Sequence, residues 1–226
     1  MKAILMSRTT ISARSAETRD ILLAHYSAGI LPRPVHAMIG AHLEMRSESR
    51  ALVAGMEAMA GEALEGMEPA ALSDPQRMLD HVLRSTAGES AVLDKVRVGN
   101  DGMPLALQDF TGFRADSIPW RTKMPGFKEV ALGEMDGCDS RLFWIRPGRA
   151  IPEHTHDGSE LTLVLEGGFF DDEGHYVRGD IAAADETVDH RPVADEDAPC
   201  ICFAITTAPL RLTGSYRQLF SDVFGR

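Results

Sequence analysis

The chain is poor in cysteine: three among 226 residues, Cys138, Cys200 and Cys202. Too few and odd in number, they exclude the disulfide framework of a small secreted scaffold. It also lacks any run approaching the ~20 apolar residues that span a bilayer. The opening stretch, Met1 to Asp20, is polar and rich in Ser, Thr and Arg, without the long apolar segment of a secretory signal. Positive charge is scarce as well. Lys and Arg total 23 against 34 Asp and Glu, a formal net charge of −11. That balance opposes non-specific nucleic-acid binding, which needs cations to neutralise phosphates, and suits a soluble protein or one with a basic partner. Internal repeats and low-complexity tracts are absent. The expectation is a cytoplasmic protein with no direct nucleic-acid or membrane partner.

Two regions of different periodicity follow. From about Thr18 to Thr86 apolar residues recur at helical spacing. Ile21, Leu22, His25 and Tyr26 belong to one short helix that Gly29 ends. Pro34 suits the first turn of a second helix, where its missing N–H is not needed, and Val35, Met38, Ile39, His42 and Met45 continue it. Ala51 to Leu64 carries the pattern further. Asp74-Pro75 reads as an N-cap followed by Pro at the first helical position, and the helix after it places Met78, Leu79, Val82 and Leu83 on one face.

Residues 87–108 mix Gly, Asn, Asp and Pro without a period and read as a linker. Beyond them the pattern alternates at strand spacing, with candidate strands at 128–135, 141–146, 160–166, 181–184, 200–206 and 210–213. The fold class is therefore α+β: a leader over 1–16, a small N-terminal helical domain over 17–86, the linker, and a C-terminal antiparallel β-barrel over 109–226.

The chemistry concentrates in Gly148-Arg-Ala-Ile-Pro-Glu-His154-Thr-His156-Asp-Gly-Ser-Glu160-Leu-Thr-Leu-Val-Leu-Glu-Gly167. His154 and His156 have the same parity, so on an extended chain both side chains leave one face. Glu160 lies four residues further, again even, after a short turn. His190, 30 residues beyond Glu160, follows Gly179-Asp180 and a candidate strand, from which a barrel can bring it opposite the others. Three imidazoles and a carboxylate suit one divalent metal ion, Zn²⁺ before Fe²⁺, Mn²⁺ or Ni²⁺. Cys200 and Cys202 share parity on a strand and read as small core hydrophobes facing the barrel interior.

Gly148 to Gly167 matches the first cupin motif, G-x5-H-x-H-x3-E-x6-G, at every defined position. Gly179-Asp180 through His190 resembles the second, with Arg178 in place of its usual Pro. The barrel is thus identified as a cupin, or double-stranded β-helix. Helices before a cupin, with Leu22-Leu-Ala-His-Tyr-Ser-Ala-Gly-Ile-Leu-Pro32, Ala41-His-Leu43, Glu160-Leu-Thr-Leu-Val-Leu-Glu-Gly167, Cys200-Ile-Cys-Phe-Ala204 and Ala208-Pro-Leu-Arg211, resemble the ChrR-type anti-sigma factors over nearly the whole chain.

The resemblance implies a helical domain that binds an extracytoplasmic-function sigma factor, covering residues such as Leu22, Leu79 and Leu83, and a cupin that senses or transmits a stress signal. One departure stands out. The family's N-terminal zinc site uses His-x3-Cys-x2-Cys and an upstream His, where this chain has His42, Arg46, Ser49 and Glu17. Only His42 remains, so the helical domain is expected to carry no zinc. An ion pair between Glu17 and Arg46, with a hydrogen bond from Ser49, is expected at those positions. The alternative function is a cupin metalloenzyme, dioxygenase-like or isomerase-like, in which Arg141, Arg146 or Arg178 contacts an acidic ligand. The sequence marks no catalytic residue for it.

Overall fold

The computed structural model describes residues 11–84 and 102–215. Four helices come first: α1 (Ala13–Ser27), α2 (Arg33–Met45), α3 (Ser47–Glu65) and α4 (Pro75–Arg84). Helix α1 starts inside the stretch read as a leader. Ser12 caps it, its side chain accepting the Ser15 N–H, and the helix begins where this cap satisfies an otherwise unpaired donor. Pro34 occupies the first turn of α2, and Asp74 Oδ1 accepts the Arg77 N–H at 3.0 Å at the start of α4. Most of the expected linker, residues 87–101, lies outside the described residues. Its end is helical: α5 spans Leu105–Thr111, closed by Gly112 in the left-handed conformation.

Eleven strands follow. They are β1 (Arg121–Met124), β2 (Phe127–Met135), β3 (Cys138–Ile145), β4 (His154–His156), β5 (Glu160–Glu166), β6 (Gly168–Asp171), β7 (Gly174–Val177), β8 (Ile181–Ala184), β9 (Val193–Ala194), β10 (Cys200–Thr206) and β11 (Leu210–Leu212). A six-stranded sheet has the order β1-β2-β3-β10-β5-β8, and the facing side of the barrel comprises β7-β6-β9 and β11-β4. Strands β5, β8 and β10 coincide with their sequence-expected limits; β1, β4, β6, β7 and β9 were not among the candidate strands.

The centre of the large sheet, β3-β10-β5, is covered on both faces, and strand parity sorts its side chains. On β10, Phe203 and Ile205 join a core with Leu163, Leu165, Leu142 and Ile181, to which the helices add Leu23, Met38, Ile39 and Leu107. Cys200 and Cys202 point the other way, into the barrel with Val164, Phe169 and Tyr176. The expected inward parity of the two cysteines holds. The apolar run Leu161–Leu165, interrupted only by Thr162, also acquires its reason, since β5 is buried on both faces over Leu163–Leu165. Helices α1, α2 and α5 therefore lie on the outside of the barrel and share its core.

Polar contacts fasten this docking. His42, 2% exposed, has Nδ1 2.7 Å from the Gly179 carbonyl and Nε2 2.7 Å from Ser49 Oγ. Arg46 donates to Asp180 Oδ1 at 2.7 Å. The expected Glu17–Arg46 pair is therefore corrected: Glu17 is exposed on α1, and the C-terminal end of α2 sits over the turn at Gly179-Asp180, where a carboxylate is closer. Ser49 supplies a hydrogen bond, but to His42. Gly179 has φ +88°, and a Cβ there would lie 2.7 Å from Arg46 Nε and 3.2 Å from Met45 Cβ, so glycine permits both the turn and the close approach.

Candidate metal centre

The motif residues converge through local geometry. The three-residue strand β4 presents His154 and His156, all but buried at 5% and 1% exposure. A bend at Asp157–Ser159 carries the chain from the β11-β4 pair into the large sheet, where Glu160 opens β5. His190 is brought alongside by an antiparallel bridge in which His154 and His190 exchange both backbone hydrogen bonds at 3.0 Å. One donor atom from each of His154, His156, Glu160 and His190 lies within 4.8 Å of the others. This is the one such cluster of three or more potential ligands among the described residues.

The hydrogen-bond pattern leaves the right atoms free. His154 Nδ1 donates to the Pro152 carbonyl at 2.7 Å, and His190 Nδ1 donates to Asp171 Oδ2 at 2.9 Å. Each bond sets the tautomer that leaves Nε2 with its lone pair, as ligating histidines require. The two Nε2 atoms are 3.2 Å apart. His156 Nε2 lies 2.7 Å from Glu160 Oε2, yet both ring nitrogens of His156 are buried with no aligned hydrogen-bond partner. Leaving a buried imidazole unsatisfied costs stability, and a shared cation relieves it. Donors around one tetrahedral ion with bonds of ~2.1 Å sit about 3.4 Å apart, close to the 3.2 Å between the His154 and His190 nitrogens.

Electrostatics agree. Burial, then the neighbouring His190, pushes the His154 imidazole below its ordinary pKa, keeping it neutral and able to ligate. Burial opposes a charge on Glu160, but His156, His154 and His190 around it together hold its carboxyl below the usual range. The residues present fit a divalent metal ion, which would add a Lewis acid at this point.

Around the cluster is a cavity of about 680 Å³ with mostly apolar walls, including Phe127, Phe143, Phe169, Tyr176 and Val188, a volume in the range of small-molecule sites. Cys202 also lines it, with Cys200 Sγ 3.3 Å from its own sulfur. The Cys200 thiol beside it, then burial, pushes the Cys202 thiol well up, so it is a neutral core group rather than a thiolate. The arginines considered as anion contacts are placed otherwise. Arg178 donates to the Gly102 and Leu165 carbonyls, Arg141 at the cavity is paired with Asp139 and Glu129, and Arg146 is exposed.

Asp171 was missed by the sequence reading. It lies within a run of acidic turn residues, Asp171-Asp-Glu173, and nothing in the spacing distinguishes it. In the fold its side chain is 3% exposed, with Oδ1 accepting the N–H groups of Glu173 and Gly174 and Oδ2 the His190 ring.

A barrel of two facing sheets that gathers three imidazoles and one carboxylate in its interior defines a cupin domain able to bind a metal ion. Residues 109–209 match the family model described as the ChrR cupin-like domain. Anti-sigma-E factor ChrR of Cereibacter sphaeroides is 35% identical over 212 residues, which cover 91% of this chain and 95% of that protein. In the crystal structure of Rhodobacter sphaeroides SigE in complex with the anti-sigma ChrR, a chain superposes with a TM-score of 0.70 at 34% identity, covering 83% of this chain and 96% of that one. The chain belongs to the ChrR family of anti-sigma factors.

Proposed function

We propose that this protein holds an extracytoplasmic-function sigma factor through its helical region, and that its cupin binds one Zn²⁺ on His154, His156, Glu160 and His190 to set whether the sigma factor is released. The observation that carries the partner half is helix α4. It buries none of its ten residues, and its apolar face stands in solvent, with Met78, Leu79, Val82 and Leu83 between 48% and 73% exposed. A ten-residue helix is marginal alone in water, and an uncovered apolar face of this kind is a docking surface for an apolar groove. Leu22 differs from the expectation for it, being partly buried against the shared core. The similarity to a chain crystallised with SigE supports the partner's class, and the net charge of −11 complements a basic DNA-binding surface.

The metal half rests on the four converging donors and the unsatisfied His156. Among the described residues no helix is long and apolar enough to cross a membrane. The test is reconstitution of the full-length protein with the extracytoplasmic-function sigma factors of its host, followed by gel filtration and elemental analysis. One complex and one zinc per chain are expected. Substituting Leu79→Asp together with Leu83→Asp should weaken the complex by roughly a hundredfold or more, as for central interface residues, without lowering the protein's own melting temperature. Binding to no sigma factor, or full affinity in that variant, would refute the assignment.

A further inference from the structure

Two routes lead from the ligand cluster to a single hydroxyl on α1. The first leaves His190. Its Nδ1–H meets Asp171 at the end of β6, β6 pairs with β7 so that Phe169 stands opposite Tyr176, and the two rings stack at 5.0 Å. Tyr176 forms part of the cavity wall, and its hydroxyl lies 3.1 Å from Ser15 Oγ. The second route leaves Glu160, which stands opposite Ala184 in the β5–β8 register. The adjacent residue, Ala183, donates its backbone N–H to Ser15 Oγ at 3.0 Å.

Ser15 is fully buried, and its hydroxyl is saturated. It accepts from Ala183 and from Ser12 Oγ at 3.0 Å, which uses both lone pairs, so its own proton goes to Tyr176. Tyr176 in turn donates to Ser12 Oγ at 3.5 Å, closing a ring of three hydroxyls. Ser12 is also the N-cap of α1, accepting the Ser15 N–H at 3.1 Å. The start of the helix and the wall of the cavity thus share one hydrogen-bond network. Buried networks of this kind hold their geometry when complete and are costly when one member shifts.

We propose that Ser15 and Tyr176 are the contact through which the state of the cupin cluster biases helix α1, and with it the helical region. The proposal rests on the metal reading above. Ordering His190 and Glu160 around an ion orders Asp171, the β6–β7 pair and β8, and these present the Tyr176 hydroxyl and the Ala183 N–H that Ser15 needs. Loss of the ion relaxes both sides of the ring together. Coupling of this type is reciprocal, so seating α1 also favours the metal-competent cupin. Ser15 and Tyr176 act here as positioning residues.

Hydrogen exchange on the full-length protein, with and without stoichiometric Zn²⁺, tests it, with zinc per chain counted in parallel. In the natural protein zinc should slow exchange in β4 and β5 and also in α1, there by about fivefold, the effect of one net hydrogen bond. In both Ser15→Ala and Tyr176→Phe zinc should still bind and still slow β4 and β5. Helix α1 should no longer respond in Ser15→Ala, where both routes end, and should respond less in Tyr176→Phe, which keeps the Ala183 N–H bond. A zinc-dependent slowing of α1 that survives in Ser15→Ala, or that is undiminished in Tyr176→Phe, overturns the proposal, as does a natural protein whose α1 ignores zinc that β4 and β5 feel. A natural protein that binds no zinc fails the metal reading itself, which the zinc count reveals, and removes this inference with it.

Discussion

Replacing Asp171 by Asn probes the metal centre without touching a ligand. Asp171 uses both oxygens: Oδ1 accepts the Glu173 and Gly174 N–H groups at 2.9 and 3.1 Å, and Oδ2 accepts the His190 Nδ1–H at 2.9 Å. An asparagine has one acceptor end. If its oxygen keeps the two backbone donors, its NH₂ faces the His190 Nδ1–H, and two donors meet. Relief requires His190 to move its proton to Nε2, the nitrogen 3.2 Å from His154 Nε2 at the heart of the cluster, where it competes directly with the ion. If the amide flips instead, His190 keeps its tautomer and the turn after β6 loses its acceptor. Loss of such an outer partner costs about 10- to 100-fold in metal affinity, or roughly 1.4 to 2.7 kcal/mol. Competition of the protein against a fluorescent zinc chelator at neutral pH measures it. The expected result is a Kd raised within that range, with unchanged far-UV circular dichroism in EDTA. A folded D171N protein that binds zinc within twofold of the natural chain, with amide protection at Glu173 and Gly174 unchanged so that the amide has not flipped, would refute the assignment of Asp171 as the orienting partner, and with it the tautomer argument for His190.

Two further predictions concern the seat of the helices. Burial, above all, holds the His42 imidazole below its ordinary pKa of 6.5, so the unfolded chain takes up a proton first as the solution is acidified. The stability contributed by neutral His42 is fully present above that ordinary value and is lost as pH falls toward the folded-state value. Urea unfolding of the natural chain and His42→Gln between about pH 5 and 8 should show their difference changing across that window, and a constant difference would sink the idea. Gly179→Ala places a side chain at φ +88° and 2.7 Å from Arg46 Nε. It should cost about 1–3 kcal/mol in urea unfolding and weaken protection of α2, whereas an unchanged midpoint would contradict the close approach.

The candidate site was legible because its logic is local. His154 and His156 share a face by strand parity, Glu160 follows across one turn, and these steps need no knowledge of the rest of the chain. The same holds for β5, β8 and β10, whose apolar runs are bounded by turn residues. Strands β6 and β7 were missed because their four residues each, Gly168-Phe-Phe-Asp171 and Gly174-His-Tyr-Val177, mix glycine and polar residues with the apolar ones, whereas the equally short β8 is an unbroken apolar run. Helix α1 was begun late because its first turns are polar all round, so only Ser12 marked the start.

The expected Glu17–Arg46 pair failed for a different reason. Opposite charges at two positions state that a pair is affordable, not which partner lies nearer, and Arg46 met Asp180, 134 residues away. Asp171 escaped notice likewise, since its hydrogen bond to His190 joins strands that sequence spacing does not relate.

Sequence alone determined the residue types, their parity and their turns: an α-then-β order, a barrel, and a set of three imidazoles and one carboxylate suited to a divalent ion. Those follow from forces acting over a few residues. Only the tertiary structure decided which hydrogen bond orients each ligand, that the helices share the barrel's core, and that Ser15 closes a ring with Tyr176. The helix–barrel contacts join segments more than a hundred residues apart and the Asp171–His190 bond joins positions 19 residues apart, and no local periodicity encodes such a distance.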